Sequence, residues 1–187
     1  MLILDLLNVV VVLAGLRTYN IPSHSNAPGI LAGDRLLVST FSYGPGITPQ
    51  LGDMAVFKLP KNDKITYVKR VLGLPGDRVQ MRNGVVFING KEVKMERVED
   101  YVDPDPLGVG GGHPIMQYEE TLPNGVRYRV LDEQPNGAAD NTIEYVIPPG
   151  HYFMMGDNRD NSEDSRFLDS VGYVPIENFI GKVVSKN

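Results

Sequence analysis

The sequence contains no cysteine and only three histidines in 187 residues. Without cysteine there are no disulfides, thiolate zinc sites, iron–sulfur clusters or cysteine nucleophile. Three histidines are too few for a histidine-rich metal site. Basic residues are also scarce, 18 against 23 acidic ones, for a net charge of −5. This balance argues against a general nucleic-acid binder, because phosphate contacts need clustered lysine and arginine.

The composition favours a folded β-rich protein. Hydrophobic residues make up 42% of the chain and charged residues 22%, which is enough to bury a core. The 20 glycines and 14 prolines favour turns and short strands, and no amphipathic helix of more than three turns is evident. The chain length suits one or two small domains.

Residues 1–16 are the most apolar stretch, but they are short for a spanning helix, which needs about 20 apolar residues. The stretch contains Asp5 and Asn8 and lacks the basic start of a secretory signal peptide. Three interpretations stay open: the remnant of a membrane anchor, an interfacial segment, or a buried strand or core helix. The β-branched Val9–Val12 favour the strand.

Turn signals recur from Arg17 onward. Gly-Asp pairs at 33–34, 52–53 and 76–77 each precede a short apolar run, which is typical of a turn that enters a strand. Asn83-Gly84 lies between VQMR and VVFI and predicts a two-residue β-hairpin. Asn89-Gly90 predicts another turn. The sequence therefore predicts a mostly β fold.

The composition changes at residues 100–142, which are rich in glycine, proline and aspartate. We expect long loops and one hairpin there, with VRYRVL as a strand. After a strand at EYVI comes the polar run GDNRDNSEDSR, and the chain ends with one helical turn and a last strand.

The first candidate site is the segment IPSHSNAP, residues 21–28. Its prolines favour an extended backbone, in which Ser23 and Ser25 face one side and His24 the other. This geometry disfavours activation of Ser25 by His24. Taken alone, the segment is typical of a plain loop.

The second candidate is Lys69. In a strand it shares a face with Tyr67 and Val71, so its amine is desolvated and its pKa is lowered. A neutral amine can accept a proton from a hydroxyl. The alternative is a lysine whose stem packs while its ammonium reaches water.

The third candidate is the run at 156–166. Its acidic residues suggest calcium, but the EF-hand spacing fails, since Ser165 stands where the loop glycine is needed. An internally paired polar turn fits better, with Ser162 able to bond a catalytic group. Alone, the run is typical of a solvated loop.

Together these segments resemble the bacterial type I signal peptidases, or leader peptidases. The resemblance spans residues 19–182 and is carried by IPSHS with Pro28, GDRLLV, LGDMAVFKLP, YVKRVLGLPGD and GDNRDNSEDSR. It implies a complex antiparallel β fold and a serine protease that uses a Ser/Lys dyad. It also implies N-terminal membrane anchoring, with the catalytic domain on the outer, periplasmic side of the cytoplasmic membrane.

The resemblance also implies roles for individual residues. Ser25 resembles the nucleophile and Lys69 the general base. Ser23 resembles the side-chain donor to the oxyanion hole, which the backbone N–H of Ser25 completes. Ser162 resembles the serine that orients the lysine amine. Further residues resemble supporting ones, the paired charges Asp164 and Arg166 and the pocket-wall residue Tyr67.

On this basis we expect a catalytic β domain from residues 17–77 plus 150–187 and a smaller β subdomain at 78–149. The implied reaction is hydrolysis of a peptide bond in exported preproteins, after small residues, to release the signal peptide. The expected partners are the signal peptide, docked by strand addition, and a membrane surface. No metal or organic cofactor is implied.

The sequence departs from the family pattern in three places. Asn26 stands where methionine is usual, and Gly29 follows Pro28 in place of threonine. Because the apolar run at 1–16 is short, we also expect the anchor helix that the resemblance implies to be missing or shortened. Two alternatives follow, a maturation peptidase for a dedicated substrate such as a pilin and a peptide-binding homologue that does not cut. A self-cleaving Ser/Lys repressor would need a DNA-binding helical module, which the 16 residues before Arg17 cannot supply.

Overall fold

The computed structural model of the protein describes residues 15–103, 105, 109–134 and 136–187. Residues 1–14 of the apolar stretch at 1–16, and with them its three interpretations, lie outside the described residues. Among the residues that are described, no helix has the length and apolar character needed to cross a bilayer.

Strands dominate the described residues, which confirms the predicted mostly β fold, and the strand pairings are antiparallel. The strands are β1 (Leu16–Asn20), β2 (Arg35–Ser39), β3 (Met54–Leu59), β4 (Asn62–Gly73), β5 (Arg78–Arg82), β6 (Val85–Ile88), β7 (Lys91–Glu92), β8 (Lys94–Arg97), β9 (Met116–Thr121), β10 (Arg127–Asp132), β11 (Tyr145–Val146), β12 (His151–Met155), β13 (Val174–Pro175) and β14 (Phe179–Lys186). Two 3-10 helices occupy Val109–Gly112 and Ile176–Asn178.

A seven-stranded sheet has the order β1-β2-β14-β3-β4-β12-β13. Its central strand β3 is buried on both faces. Ala55 and Phe57 pack into one apolar cluster with Val71, whereas Val56 packs into another with Val38. This follows from the two-residue period of a strand, which sends neighbouring side chains to opposite faces.

The predicted turns are confirmed. Asn83 and Gly84 have positive φ angles of 49° and 78° and join β5 to β6 as a tight hairpin. Such angles suit the two central residues of a hairpin turn, where asparagine and glycine are tolerated. Asn89-Gly90 joins β6 to β7, and the three Gly-Asp pairs come directly before β2, β3 and β5.

Two smaller sheets, β11-β5-β6-β7 and β10-β9-β8, come from residues 78–146. The predicted hairpin with VRYRVL is β9–β10, and the predicted strand at EYVI spans only two residues. One apolar cluster contains Leu72 and Phe153 together with Val79 and Ile147. The segments on either side of the proposed boundary thus share a core, and the division into two domains stays a prediction.

Candidate active site

Three segments that are distant in sequence meet in one cleft of about 880 Å³. Its walls come from residues 19–23, 25 and 26, from residues 65–69 of β4 and from residues 160–163, 167 and 170 after β12. Five of the predicted site residues line the cleft, namely Ser23, Ser25, Tyr67, Lys69 and Ser162. The other two, Asp164 and Arg166, are buried close to Ser162.

The serine segment places its two hydroxyls on the cleft side. Ser23 Oγ donates to Ser25 Oγ across 3.4 Å. His24 lies apart from this pair, and its Nδ1 accepts from the backbone N–H of Ala32 at 3.5 Å. Its separation from Ser25 agrees with the alternation expected from the sequence and leaves the imidazole outside the cleft lining.

Lys69 is 4% exposed and lies opposite Ala55 in the β3–β4 pairing. Its Nζ makes no hydrogen bond within the described part of the chain, and the Tyr67 ring centroid lies 5.6 Å away. Burial lowers the pKa of Lys69 to about 8. Asp164 opposes the effect of burial on this pKa, and Arg166 lowers the pKa further. The amine can therefore be neutral in mildly alkaline solution and accept a proton.

A buried ion pair holds the polar loop in place. Arg166 Nε donates to Asp164 Oδ1 at 2.9 Å, and the backbone N–H of Gly156 and the hydroxyl of Ser162 donate to Asp164 Oδ2 at 3.0 and 2.8 Å. Burial acts to raise the pKa of Asp164, but Arg166 and the hydrogen bond from the Gly156 backbone hold it below its usual value. Asp164 is thus a fixed anion that orients the Ser162 hydroxyl.

Gly156 allows the polar loop to approach the serine segment. A Cβ added to Gly156 would lie 2.2 Å from Ser162 Oγ and 2.4 Å from the carbonyl oxygen of Ser25. The same Ser25 carbonyl accepts from the backbone N–H of Asn158 at 3.2 Å. Because no side chain other than hydrogen fits there, glycine brings the Ser25 and Ser162 segments into contact.

The charge pairs that support the cleft were not predicted from the sequence. Arg70 makes two hydrogen bonds to Asp157, of 2.8 and 2.6 Å, and Arg159 binds the buried Glu120 at 2.6 Å. A clue to the first pair was present, since Asp157 belongs to a fourth Gly-Asp pair that precedes no apolar run. Nothing in the sequence pointed to Glu120, because its partner is far away along the chain.

Two further cleft residues make contacts that were not predicted from the sequence. Tyr67 donates its hydroxyl to Glu163 Oε2 at 3.0 Å, which connects β4 to the polar loop. Burial and the Glu163 carboxylate raise the pKa of Tyr67. Asn26, noted above only as a departure from the family pattern, donates its amide to the backbone of β4 at Val68.

Comparisons with known proteins identify the family to which the sequence is similar. The family described as signal peptidase, peptidase S26, matches residues 1–186. Signal peptidase I of Rickettsia typhi is 33% identical over 192 residues, covering 89% of this chain and 70% of that protein.

Signal peptidase I of Rickettsia bellii strain OSU 85-389 is 36% identical over 194 residues, which cover 89% of this chain and 64% of the Rickettsia bellii protein. The crystal structure of a signal peptidase I from Enterococcus faecalis V583 has 28% sequence identity and a TM-score of 0.41. The matched region covers 73% of this chain and 97% of the Enterococcus faecalis chain. With the family match extending over nearly the whole sequence, this chain belongs to the signal peptidase family, peptidase S26.

Proposed function

We propose that this protein is a serine endopeptidase that removes signal peptides from exported preproteins, with Ser25 as nucleophile and Lys69 as general base. The observation that carries the proposal is the presence in one cleft of a serine hydroxyl and a buried lysine amine whose pKa is lowered to about 8. The family match and the relatives support the substrate class. They give no support to a dedicated maturation peptidase or a peptide binder.

The chemistry requires one proton carrier. Neutral Lys69 takes the proton of the Ser25 hydroxyl while Oγ attacks the carbonyl carbon of the scissile bond. The resulting ammonium gives that proton to the leaving amine, and an acyl-enzyme remains on Ser25. Lys69 then activates a water molecule that hydrolyses the ester and regenerates the serine.

The negative charge that develops on the substrate oxygen needs donors. Ser23 lies beside Ser25 and faces the same cleft, so its hydroxyl and the Ser25 backbone N–H serve as an oxyanion hole. Loss of one such donor typically lowers kcat by roughly 10²–10³-fold. No step requires a metal or an organic cofactor, because the base and the donors belong to the chain.

The open edge of β4 supports docking by strand addition. β3 pairs along one edge of β4, whereas β12 pairs on the other edge only with residues 70–73. Residues 65–69 therefore line the cleft without a strand partner on that edge in the described part of the chain. An extended peptide can pair with this edge and bring its scissile carbonyl towards Ser25. We expect small side chains before the cut, as the resemblance to signal peptidases implies.

Exported preproteins emerge on the outer side of the cytoplasmic membrane, and we place the catalytic domain there, at the membrane surface. A preprotein that is still held in the membrane by its signal peptide would then meet the cleft directly.

The test is processing of a detergent-solubilised preprotein by the purified full chain. We expect Ser25→Ala and Lys69→Ala to abolish cleavage without unfolding the protein. Lys69→Arg should fail as well, because a guanidinium stays protonated. His24→Ala is the control and should keep activity. Near-normal cleavage by Lys69→Arg, or loss in His24→Ala alone, would overturn the dyad.

A further inference from the structure

A buried amide joins the loop that carries Ser25 to the strand that carries Lys69. Asn26, the residue after Ser25, donates through Nδ2 to the carbonyl oxygen of Val68, the residue before Lys69, at 2.8 Å. Asn26 is 3% exposed, so water competes little for this bond. In the described part of the chain, no other side-chain hydrogen bond joins residues 21–28 to β4.

The bond lies at the open edge of β4. Val68 pairs with Val56 of β3 on one side and has no strand partner on the other among the described residues. The Asn26 amide therefore supplies the Val68 carbonyl with a donor that a neighbouring strand would otherwise provide.

This arrangement is unfavourable for stability. Asn26 Oδ1 is buried and has no hydrogen-bond partner among the described residues, and an unpaired buried acceptor costs on the order of 1–3 kcal/mol. An apolar side chain of similar size would avoid that cost, and Val68, which lines the cleft and is only partly buried, can accept a hydrogen bond from water in place of the lost amide. Stability alone therefore does not account for asparagine at this position, and such a group in a native structure calls for a functional explanation.

The reactive side chains themselves have few restraints. Lys69 Nζ makes no hydrogen bond within the described residues, and Ser25 Oγ has only the long 3.4 Å contact with Ser23. The separation of the two reactive atoms therefore depends on how the two backbones are held. A shift of about 1 Å in such a pair can cost a rate factor of roughly 10².

We infer that Asn26 is a positioning residue that fixes the distance between Ser25 and Lys69 through its bond to Val68. This inference rests on the proposed function. It explains why a polar side chain occupies the position after the nucleophile, and it assigns the amide to the turnover step rather than to substrate binding.

The experiment uses the full chain and a peptide substrate with alanine before the cut. Asn26→Leu removes the donor and the unpaired acceptor together. We expect kcat to fall about tenfold or more, KM to change less than about twofold, and the Tm to stay equal or rise.

Asn26→Asp provides a second variant of the same shape. Its ionised carboxylate has no donor for Val68, so its kcat relative to the native chain should fall as the carboxylate ionises across a pH series. The same negative charge near Lys69 should move the rising limb of the pH–rate profile to higher pH, because an adjacent anion raises the pKa of a lysine.

Asn178→Leu is the matched control. Asn178 donates through Nδ2 to the carbonyl oxygen of Lys58 in β3 at 2.9 Å, but it does not line the cleft. This variant should keep the native kcat.

A folded Asn26→Leu with kcat within twofold of the native value overturns the inference. So does an Asn26→Asp that keeps the native kcat throughout the pH series, even where Asn26→Leu fails to fold. Failure of the dyad itself is distinguished by Ser25→Ala and Lys69→Ala in the same assay, since their retained activity would contradict the proposed function whatever Asn26 does.

Discussion

The Ser162 hydroxyl donates its proton to Asp164 Oδ2 over 2.8 Å. A hydroxyl has one proton and two lone pairs, so this bond leaves Ser162 Oγ able to act only as an acceptor. Ser162 and Lys69 line the same cleft. An acceptor there can hold an N–H of the lysine and direct the amine lone pair towards Ser25, which supports the orienting role proposed for Ser162.

Replacing this hydroxyl should reduce turnover without unfolding the loop. In Ser162→Ala, Asp164 keeps its bonds from Arg166 and Gly156, so we expect a small change in Tm and a fall in kcat of about 10–100-fold from lost orientation. Ser165→Ala is the control. The Ser165 hydroxyl accepts from the backbone N–H of Met154 at 2.9 Å, so its loss should lower Tm and spare kcat. A native kcat in Ser162→Ala would contradict the orienting role of Ser162.

Gly156→Ala should separate the two loops that meet at this glycine. The added methyl would lie 2.2 Å from Ser162 Oγ and 2.4 Å from the Ser25 carbonyl, so one of them must move. We expect peptide cleavage to fall more than about tenfold and the Tm to drop. In the control Gly44→Ala, the methyl meets no atom within 4 Å, and both quantities should stay native. Full activity in a folded Gly156→Ala would show that this close approach is dispensable.

Lys69 should make the protein less stable below its own pKa. Its pKa is about 8 in the folded chain and 10.5 when unperturbed. Between these pH values the unfolded state binds more protons than the folded state, so the free energy of unfolding rises with pH. Below about pH 8 the amine is charged in both states, and the full cost of burying the charged amine is present. We therefore expect Lys69→Met to raise the free energy of unfolding at pH 7 by up to about 3 kcal/mol.

Urea unfolding at pH 7 and pH 10 measures this effect, and the advantage of Lys69→Met should shrink at the higher pH. Lys64→Met, an exposed lysine of the same strand, is the control and should show no such pH dependence. An equal advantage of Lys69→Met at both pH values would mean that the amine is already charged and solvated in the folded protein.

The charge of the cleft should influence which peptides are cut. The charged residues that line it are Lys69, Asp160 and Glu163. Asp160 accepts two backbone N–H groups, whereas Glu163 is exposed and bonds only Tyr67 in the described structure. An exposed carboxylate at the cleft favours peptides with a basic residue near the cut over peptides with an acidic one.

Glu163→Gln can keep the acceptor for Tyr67 and removes the charge. We expect the ratio of kcat/KM for lysine-containing over glutamate-containing peptides to fall about two- to fivefold, with a smaller effect at high salt. Because Glu163 raises the pKa of Lys69, the pH profile should also move to lower pH. The exposed Glu92→Gln in β7 is the charge-matched control. An unchanged peptide preference in Glu163→Gln would exclude an electrostatic role for the carboxylate.

The local chemistry of the chain was predictable because it depends on neighbours in sequence. The Asn83-Gly84 hairpin and the Gly-Asp turns follow from backbone preferences of the residues themselves. The burial of Lys69 follows from the two-residue period of β4. The departure at Asn26 was visible too, but nothing in the local sequence indicated that its amide would reach Val68.

The sequence by itself determined the β character of this protein, the positions of its turns and the set of polar residues available for chemistry, since each depends on short-range sterics and patterning. Only the tertiary structure decided which of those residues share the cleft and which charges pair behind it, as Arg70 does with Asp157 and Arg159 with Glu120. Those contacts join segments far apart along the chain, so they depend on how the sheets pack. The local sequence contains no information on the distance between such segments in space.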